Sequence, residues 1–364
     1  MSVMLFSAGA LLFSVFVGYL YLPRIILIAK KKRLFDTVNV RKVHRGFVPR
    51  IGGIAFFPII LLTLTIFTII RCCVGIPAFT LSSRFFIDVL CLLYGLTIIF
   101  IIGVADDLAG VRYKIKFLFQ FFAALSVIPS RLWLHDFYGI MGIHEVSPLV
   151  GIPVTILIVM FVINAYNLID GIDGLCAGLS LMAIGFIGGL FLYCGYFFFG
   201  VIAAGIMGVL AVFFIFNISG KKYKVFMGDT GSLTLGFIII FMCLEMLSLF
   251  PHNDVLRIIK NPVAVFAGLL FVPVFDTFRV FTVRISCGFS PFYPDKRHIH
   301  HKFLELGFTH ASATLAIMAT QLIFFIMNVL LQQLNVNAIL AIDITLGLIY
   351  IYMLDNICSK RKLN

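Results

Sequence analysis

The chain predicts an all-helical, polytopic integral membrane protein, and three observations carry that prediction. Hydrophobic residues make up 62% of its 364 positions and charged residues only 12%, against about a quarter charged in a water-soluble domain. The mean hydropathy is +1.11, and the apolar residues fall in continuous runs able to form helices of about 20 residues. Those runs do not alternate with period two. In lipid, only helices or a closed barrel satisfy every backbone polar group, so helices are expected.

Eleven spans follow in order, at about 3–29, 51–70, 85–104, 115–130, 149–167, 172–192, 196–217, 231–250, 262–283, 313–333 and 337–354. The first run is read as a span rather than a leader, because no positive charge precedes it and it is too long for an h-region. Of the 28 Lys and Arg, 21 fall in one set of alternate connections, from Lys30 to Arg50, Arg112 to Lys116, Lys221 to Lys224, Arg284 to Lys302 and Lys360 to Lys362. The positive-inside rule places this set in the cytoplasm, with the amino terminus outside and the carboxyl terminus cytoplasmic. The net charge of +12 is therefore a topology signal, and no nucleic-acid partner is expected. A single membrane domain over 1–364 is expected, with cytoplasmic loops near 30–50, 105–114, 168–174, 218–231 and 284–312. The eight Cys show no metal-ligand spacing.

Four polar segments stand out, and all map to the predicted cytoplasmic face. Asn164-Ala-Tyr-Asn167-Leu-Ile-Asp170-Gly-Ile-Asp173-Gly174 sets two amides and two carboxylates at every third position after an apolar run. On a helix, consecutive members would lie about 60° apart, so the middle ones share a face. Such groups can hold a divalent cation or read a base and ribose; a plain helix C-cap accounts for one glycine but not for both acids. Asp106 and Asp107 end the third span, and neighbours on a helix point about 100° apart. One can face a metal or a proton to be removed while the other caps a neighbouring helix. Phe226-Met-Gly-Asp229-Thr-Gly-Ser232 adds a third carboxylate, suited to a hard cation that shares phosphate oxygens. Asp295-Lys-Arg-His298-Ile-His300-His301 suits a phosphate or diphosphate, with Arg284 nearby, better than zinc. Asp276 and Arg279 can neutralise each other across one helical turn, and Asp88, Glu245 and Asp343 are isolated in their spans.

With these segments the chain resembles the polyprenyl-phosphate N-acetylhexosamine-1-phosphate transferase superfamily, glycosyltransferase family 4. The resemblance rests on Pro49-Arg-Ile-Gly-Gly53, Gly103-Val-Ala-Asp-Asp107, Asn164 to Leu175, Val225 to Ser232 and Ser290 to His301, which run in family order. It is most similar to the undecaprenyl-phosphate GlcNAc-1-phosphate transferase branch. The phospho-MurNAc-pentapeptide translocases carry three consecutive histidines where this chain has His298-Ile-His300-His301, and Thr where it has Arg50.

The resemblance implies transfer of a sugar 1-phosphate from a UDP-N-acetylhexosamine to undecaprenyl phosphate, with release of UMP and use of Mg²⁺ or Mn²⁺. It implies a bacterial inner-membrane enzyme facing the cytoplasm, and it admits a homodimer. By motif, Asp106, Asp107 and Asp170 take catalytic positions; Asp229, Asp107 and Asn167 take metal positions. Asn167, Asp173, Phe226, Arg284, His298, His300 and His301 take substrate positions, Asp173 and Phe226 resembling a uracil-contacting pair. A peptidoglycan-branch transferase and a cation-coupled transporter are the alternatives; intramembrane acids favour the latter, but no internal repeat is evident and the acids sit at span ends.

Overall fold

The computed structural model describes residues 2–32, 48–74, 83–218, 223–293 and 295–363. Arg33, Arg41, Lys42, Arg45, Lys221, Lys222 and Pro294, all in predicted cytoplasmic connections, lie outside the described residues. The helices are α1 (Ser2–Lys31), α2 (Phe56–Cys73), α3 (Ser83–Ala109), α4 (Tyr113–Ala124), α5 (Pro148–Ile169), α6 (Leu175–Tyr193), α7 (Phe197–Ile218), α8 (Gly228–Leu249), α9 (Pro262–Leu269), α10 (Phe271–Ser286), α11 (Ile299–Glu305), α12 (His310–Leu331) and α13 (Val336–Leu363). Among the described residues, nine helices are long and apolar enough to cross a membrane, or ten if the bent pair α9–α10 is one span. The all-helical membrane class is borne out.

The difference from eleven lies in the fourth predicted span. There α4 has 12 residues and tightens into a 3₁₀ turn at Leu125–Val127, together about 24 Å against about 30 Å of hydrocarbon. Pro129 follows and brings no N–H to extend the ladder.

The ninth predicted span is broken. Between α9 and α10 the axis bends by 77°. Pro273 is the cause: it has no N–H to give the Leu269 carbonyl four residues back. Gln321 of α12 repairs the break, its amide donating to the Leu269 carbonyl and its Oε1 accepting the Val272 N–H at 2.8 Å.

The chain divides into two compact units, Met1–Leu132 with Ser180–Met242, and Trp133–Leu179 with Cys243–Asn364. In the first, α1 and α2 pack on α7 and α3 packs on α4. Gly205-Ile-Met-Gly208, a weak packing signal in sequence, is a helix contact: the Ser14 hydroxyl donates to the Gly205 carbonyl at 2.5 Å. In the second, α5 packs on α10, while α9 and α13 pack together and α12 contacts both. Outward residues such as Leu315, Ile323 and Leu330 are exposed apolar groups, as a lipid-facing helix requires.

The connection 131–148 holds an antiparallel hairpin, β1 (Asp136–Ile140) and β2 (Ile143–Glu145). Its turn residues Met141 and Gly142 both have positive φ, 53° and 74°, the backbone of a type I′ turn. Nothing in Met-Gly announces that turn; Asn337 of α13 secures it by accepting the Met141 N–H at 2.7 Å and donating to the Gly139 carbonyl at 2.8 Å.

Candidate active site

The first unit gathers three of the five motifs. The backbone of Pro49–Gly53 runs beside Phe226–Met227, with Phe226 N–H on the Pro49 carbonyl at 2.8 Å and Gly53 N–H on the Met227 carbonyl at 2.8 Å. This lays the segment across the entry to α8. Gly228 there has φ +72°, and a Cβ on it would strike the Arg50 carbonyl and the Asp107 carboxylate. Only glycine allows that approach.

Asp107 caps α8. Its carboxylate accepts the Asp229 N–H at 2.7 Å, the Thr230 N–H at 3.0 Å and the Thr230 hydroxyl at 2.6 Å. An anion at a helix N-terminus satisfies orphan N–H donors and meets the positive end of the helix dipole. Of the two expectations for the pair, Asp107 fills the capping one.

Asp106 points elsewhere, its Oδ1 accepting the Val111 N–H at 2.6 Å. Its Oδ2 meets Lys116 Nζ at 2.7 Å, and the same ammonium meets Asp229 Oδ2 at 2.5 Å. Lys116, in the first turn of α4, counted in sequence only as a cytoplasmic charge. Burial works to lower its pKa, but Asp229 and Asp106 outweigh that and hold the ammonium above its usual value.

Two carboxylates thus converge on one cationic point. The donor set is all oxygen, which fits a hard divalent ion that keeps waters and shares phosphate oxygens. Among the described residues no group of three or more His, Cys, Asp or Glu is set to hold a metal, so protein ligands alone do not complete such a site. The ligand set expected from sequence was Asp229, Asp107 and Asn167. The geometry brings Asp106 to Asp229, commits Asp107 to the start of α8, and places Asn167 in the other unit.

The second unit gathers the remaining two motifs. The ladder does not stay on one helix. Asn164 and Asn167 lie on α5, Asn164 Nδ2 donating back to the Met160 carbonyl at 2.7 Å. Asp170 is the C-cap, with φ −74° and ψ 52°, and Asp173 lies beyond it in the loop. The helical register ends at Ile169, before Asp170 and Asp173, so three-residue spacing does not translate into one face.

Asp173 is fixed from α12. His310 Nδ1 lies 3.0 Å from Asp173 Oδ2, and the Thr314 hydroxyl donates to the Asp173 carbonyl at 2.8 Å. His300 packs directly over Gly171, where any Cβ would collide with its ring. This contact brings the histidine run to the ladder.

The run itself is built on Asp276 of α10. Asp276 Oδ2 bonds His298 Nδ1 at 2.8 Å, its Oδ1 accepts from Arg279 at 2.7 Å, and the Ile299 N–H reaches it at 3.2 Å. Arg279 also donates to the Arg297 carbonyl at 2.6 Å. The neutralisation expected between Asp276 and Arg279 is present, but its larger effect is to anchor the start of α11.

Arg284 was expected at the substrate. Instead it is buried and forms a bidentate pair with Asp295 at 2.8 and 3.0 Å, while Nη1 donates to the Pro291 carbonyl at 2.5 Å. Burial works to raise the Asp295 pKa, but Arg284 outweighs it and holds the carboxyl below its usual range. Arg284 therefore shapes the loop that carries the histidines.

His298 and His300 lie parallel, 5.8 Å between ring centroids. Burial first, then the neighbouring imidazoles, pushes His300 well below the ordinary histidine range, and His301 is lowered in the same way. His300 Nδ1 is buried without a hydrogen-bond partner. At neutral pH the lowered rings of His300 and His301 are uncharged and offer directional hydrogen bonds rather than cations. Phe226 is half-buried in the first unit, with Lys224 Nζ 5.6 Å from its ring.

Sequence reading missed Lys116, Asp276 as an anchor, Asp295 and His310. Lys116 and His310 meet partners 113 and 137 residues away, while Asp276 and Asp295 meet His298 and Arg284 at 22 and 11 residues.

A family model described as Glycosyl transferase family 4 matches residues 89–247. The chain is 31% identical over 315 residues to a probable undecaprenyl-phosphate N-acetylglucosaminyl 1-phosphate transferase of Bacillus subtilis, covering 85% of this chain and 81% of that protein. It is 30% identical over 300 residues to an undecaprenyl-phosphate alpha-N-acetylglucosaminyl 1-phosphate transferase of Escherichia coli, covering 79% and 73%. A protein of the same description from Yersinia pestis is 28% identical over 330 residues, covering 87% and 82%. On motifs, helical architecture and similarity over most of its length, the chain belongs to glycosyl transferase family 4.

Proposed function

We propose that this enzyme transfers N-acetylglucosamine 1-phosphate from UDP-N-acetylglucosamine to undecaprenyl phosphate, releasing UMP, as the first membrane step of a cell-surface polysaccharide. The observation that carries the reading is the convergence of Asp106 and Asp229 on one cationic point at the ends of long apolar helices. Transfer between two phosphates needs charge neutralisation and in-line positioning above all. Carboxylates at helix ends stand where a lipid-borne phosphate arrives laterally. The distribution of Lys and Arg supports a cytoplasmic face in a bacterial inner membrane.

Asp229 is the residue that would hold Mg²⁺ or Mn²⁺, with waters and phosphate oxygens as further ligands. When bound, that ion supplies charge neutralisation to the donor diphosphate. Lys116 bridges the two carboxylates, screening their repulsion, and can turn its ammonium to a phosphate oxygen. Asp106, freed from Lys116, can take the proton of the lipid phosphate so that its oxygen attacks directly. Asp107 keeps Asp229 in place through the α8 backbone. In the second unit, Asp173 and the neutral His300 suit hydrogen bonds to the uracil and sugar of the donor. Asn167 and Asp170 line the same segment.

Purified protein with undecaprenyl phosphate, Mg²⁺ and a panel of UDP-sugars tests the reading. UMP release with UDP-N-acetylglucosamine, dependent on the lipid, is the expected result. Activity only with UDP-MurNAc-pentapeptide, or solute flux without UMP, overturns it.

A further inference from the structure

Asp343 is not among the candidate active-site residues. It lies seven residues into α13, about 10 Å along the axis, and is 3% exposed. Its partner is Asn328 of α12, fully buried at 0%. Asn328 Nδ2 donates to Asp343 Oδ2 at 2.8 Å and to the Ala264 carbonyl of α9 at 2.8 Å. The remaining oxygen of each group, Asn328 Oδ1 and Asp343 Oδ1, is buried without a hydrogen-bond partner. Both are acceptors, so no rearrangement of the two side chains satisfies them while Asp343 is ionised.

We propose that Asp343 and Asn328 form a proton-binding site within the membrane-spanning part of the second unit. One proton on Asp343 Oδ1 turns that oxygen into a donor toward Asn328 Oδ1. The carboxyl and the amide are then joined by two reciprocal hydrogen bonds, and both orphaned oxygens are satisfied at once. No bond other than O–H forms, and the proton comes from solvent.

The surroundings favour a proton over a charge. Ala264, Val336 and Ile339 form a buried apolar cluster one turn away, with Leu331 and Leu340 against it. An ionised carboxylate there lacks compensation and is costly. α9 carries no titratable side chain. The titratable side chain of α12, His310, is eighteen residues from Asn328, about 27 Å. On α13, Tyr350 bonds the Thr320 hydroxyl at 3.1 Å, and Asp355 pairs with Lys302 of α11. From the hairpin, Asp136 faces His144, and the contact with α13 runs through Asn337. Lys260 meets the end of α12 through its backbone N–H on Gln332. A hard metal cation asks for about six oxygens, and the two side chains with the Ala264 carbonyl bring four.

The site also has a structural consequence. Asn328 ties α13 to α9 just before the break that Gln321 repairs, and α10 beyond the break carries Asp276. Loss of the proton would set a charge against Asn328 Oδ1 and loosen that tie.

Infrared difference spectroscopy on the full chain in lipid bilayers tests this. Wild type minus Asp343→Asn, in mildly acidic buffer, should show a protonated-carboxyl C=O band shifted by H/D exchange. In Asn328→Leu, which keeps the acid, the same band should move to higher frequency as its partner is lost. UMP release by Asp343→Asn should stay within about twofold of wild type, because an amide reproduces the neutral pair. A carboxylate signature in the first difference spectrum, a band that responds to sodium, or a band unmoved by Asn328→Leu overturns the proposal. The Asn328→Leu arm does not depend on the Asp343→Asn protein folding.

Discussion

The two polar clusters of this molecule are built on opposite electrostatic plans. In the first unit, two carboxylates, Asp106 and Asp229, meet at the ammonium of Lys116, while a third, Asp107, holds the start of α8. In the second, three carboxylates have basic partners: Asp276 has Arg279 and His298, Asp295 has Arg284, and Asp173 has His310. The first cluster has acidic capacity to spare, as a centre that must accept a further cation needs. The second is neutralised from within and holds uncharged imidazoles in fixed orientation. The contrast teaches that a recognisable basic motif, His298 to His301 with Arg284, serves as a frame, while the cation-seeking chemistry sits where the sequence is acidic.

The sharpest way to break this comparison is Asp229→Asn. The change is nearly isosteric and leaves the backbone N–H that Asp107 holds. UMP release should fall by about a thousandfold or more, the scale of losing a principal electrostatic group in an excluded site. Near-normal turnover would remove Asp229 from the chemistry and leave the acidic cluster a mere helix-end anchor.

Asp276→Asn comes next and acts by another route. It leaves Arg279 and His298 buried without their anion. Breaking a buried pair from one side costs about 3 kcal/mol or more, so thermal unfolding should move down by several degrees. Activity should follow stability rather than lead it. A variant with wild-type stability but no turnover would place Asp276 at the reacting groups and erase the distinction between the clusters.

Lys116→Met probes the first cluster from the cationic side. Without the ammonium the carboxylates repel, so a divalent ion should saturate at lower concentration while turnover drops by about tenfold to a hundredfold. Measuring UMP release across a Mg²⁺ titration separates the two effects. A higher Mg²⁺ requirement would mean that Lys116 supports the ion rather than occupying its place.

Acid stability sharpens the second cluster. His300 is held below the ordinary histidine value by burial, so the unfolded chain binds the proton that the folded chain refuses. Between the folded pKa and about 6.5, stability therefore rises with pH, and it is lost as pH falls through that window. Replacing His300 with Phe should flatten this slope in thermal unfolding scans. An unchanged slope would trace acid sensitivity to other groups, such as Asp295, whose depressed pKa gives a loss only at lower pH, through the carboxylate range.

The spans were legible because hydropathy over about 20 residues is a local property. So were the motif residues, because amides, acids and imidazoles stand out in apolar surroundings. What sequence could not supply was pairing across the chain. Lys116 stands 113 residues from Asp229, and Asp173 stands 137 from His310. Nor could it tell Asp106 from Asp107, since that division depends on where α8 begins. The break after Leu269 was marked by Pro273, yet a proline in an apolar run does not say whether a span kinks or parts by 77°. The short α4 was misjudged because its composition continues past the point where its hydrogen bonding tightens.

The smallest predicted effect concerns His310. Its imidazole is 17% exposed and lies 3.0 Å from Asp173 Oδ2; a pair so placed is partly screened and worth at most about 1 kcal/mol. Gln at this position can still donate a hydrogen bond, and Thr314 still holds the Asp173 carbonyl. The KM for UDP-N-acetylglucosamine should therefore rise only about threefold in His310→Gln, with kcat unchanged. Adding Thr314→Val frees the Asp173 backbone and should multiply the KM effect, since the two contacts hold one residue and couple. Should kcat collapse while KM stays put, Asp173 would belong with the reacting groups, and the second cluster would be catalytic rather than a frame that reads the donor.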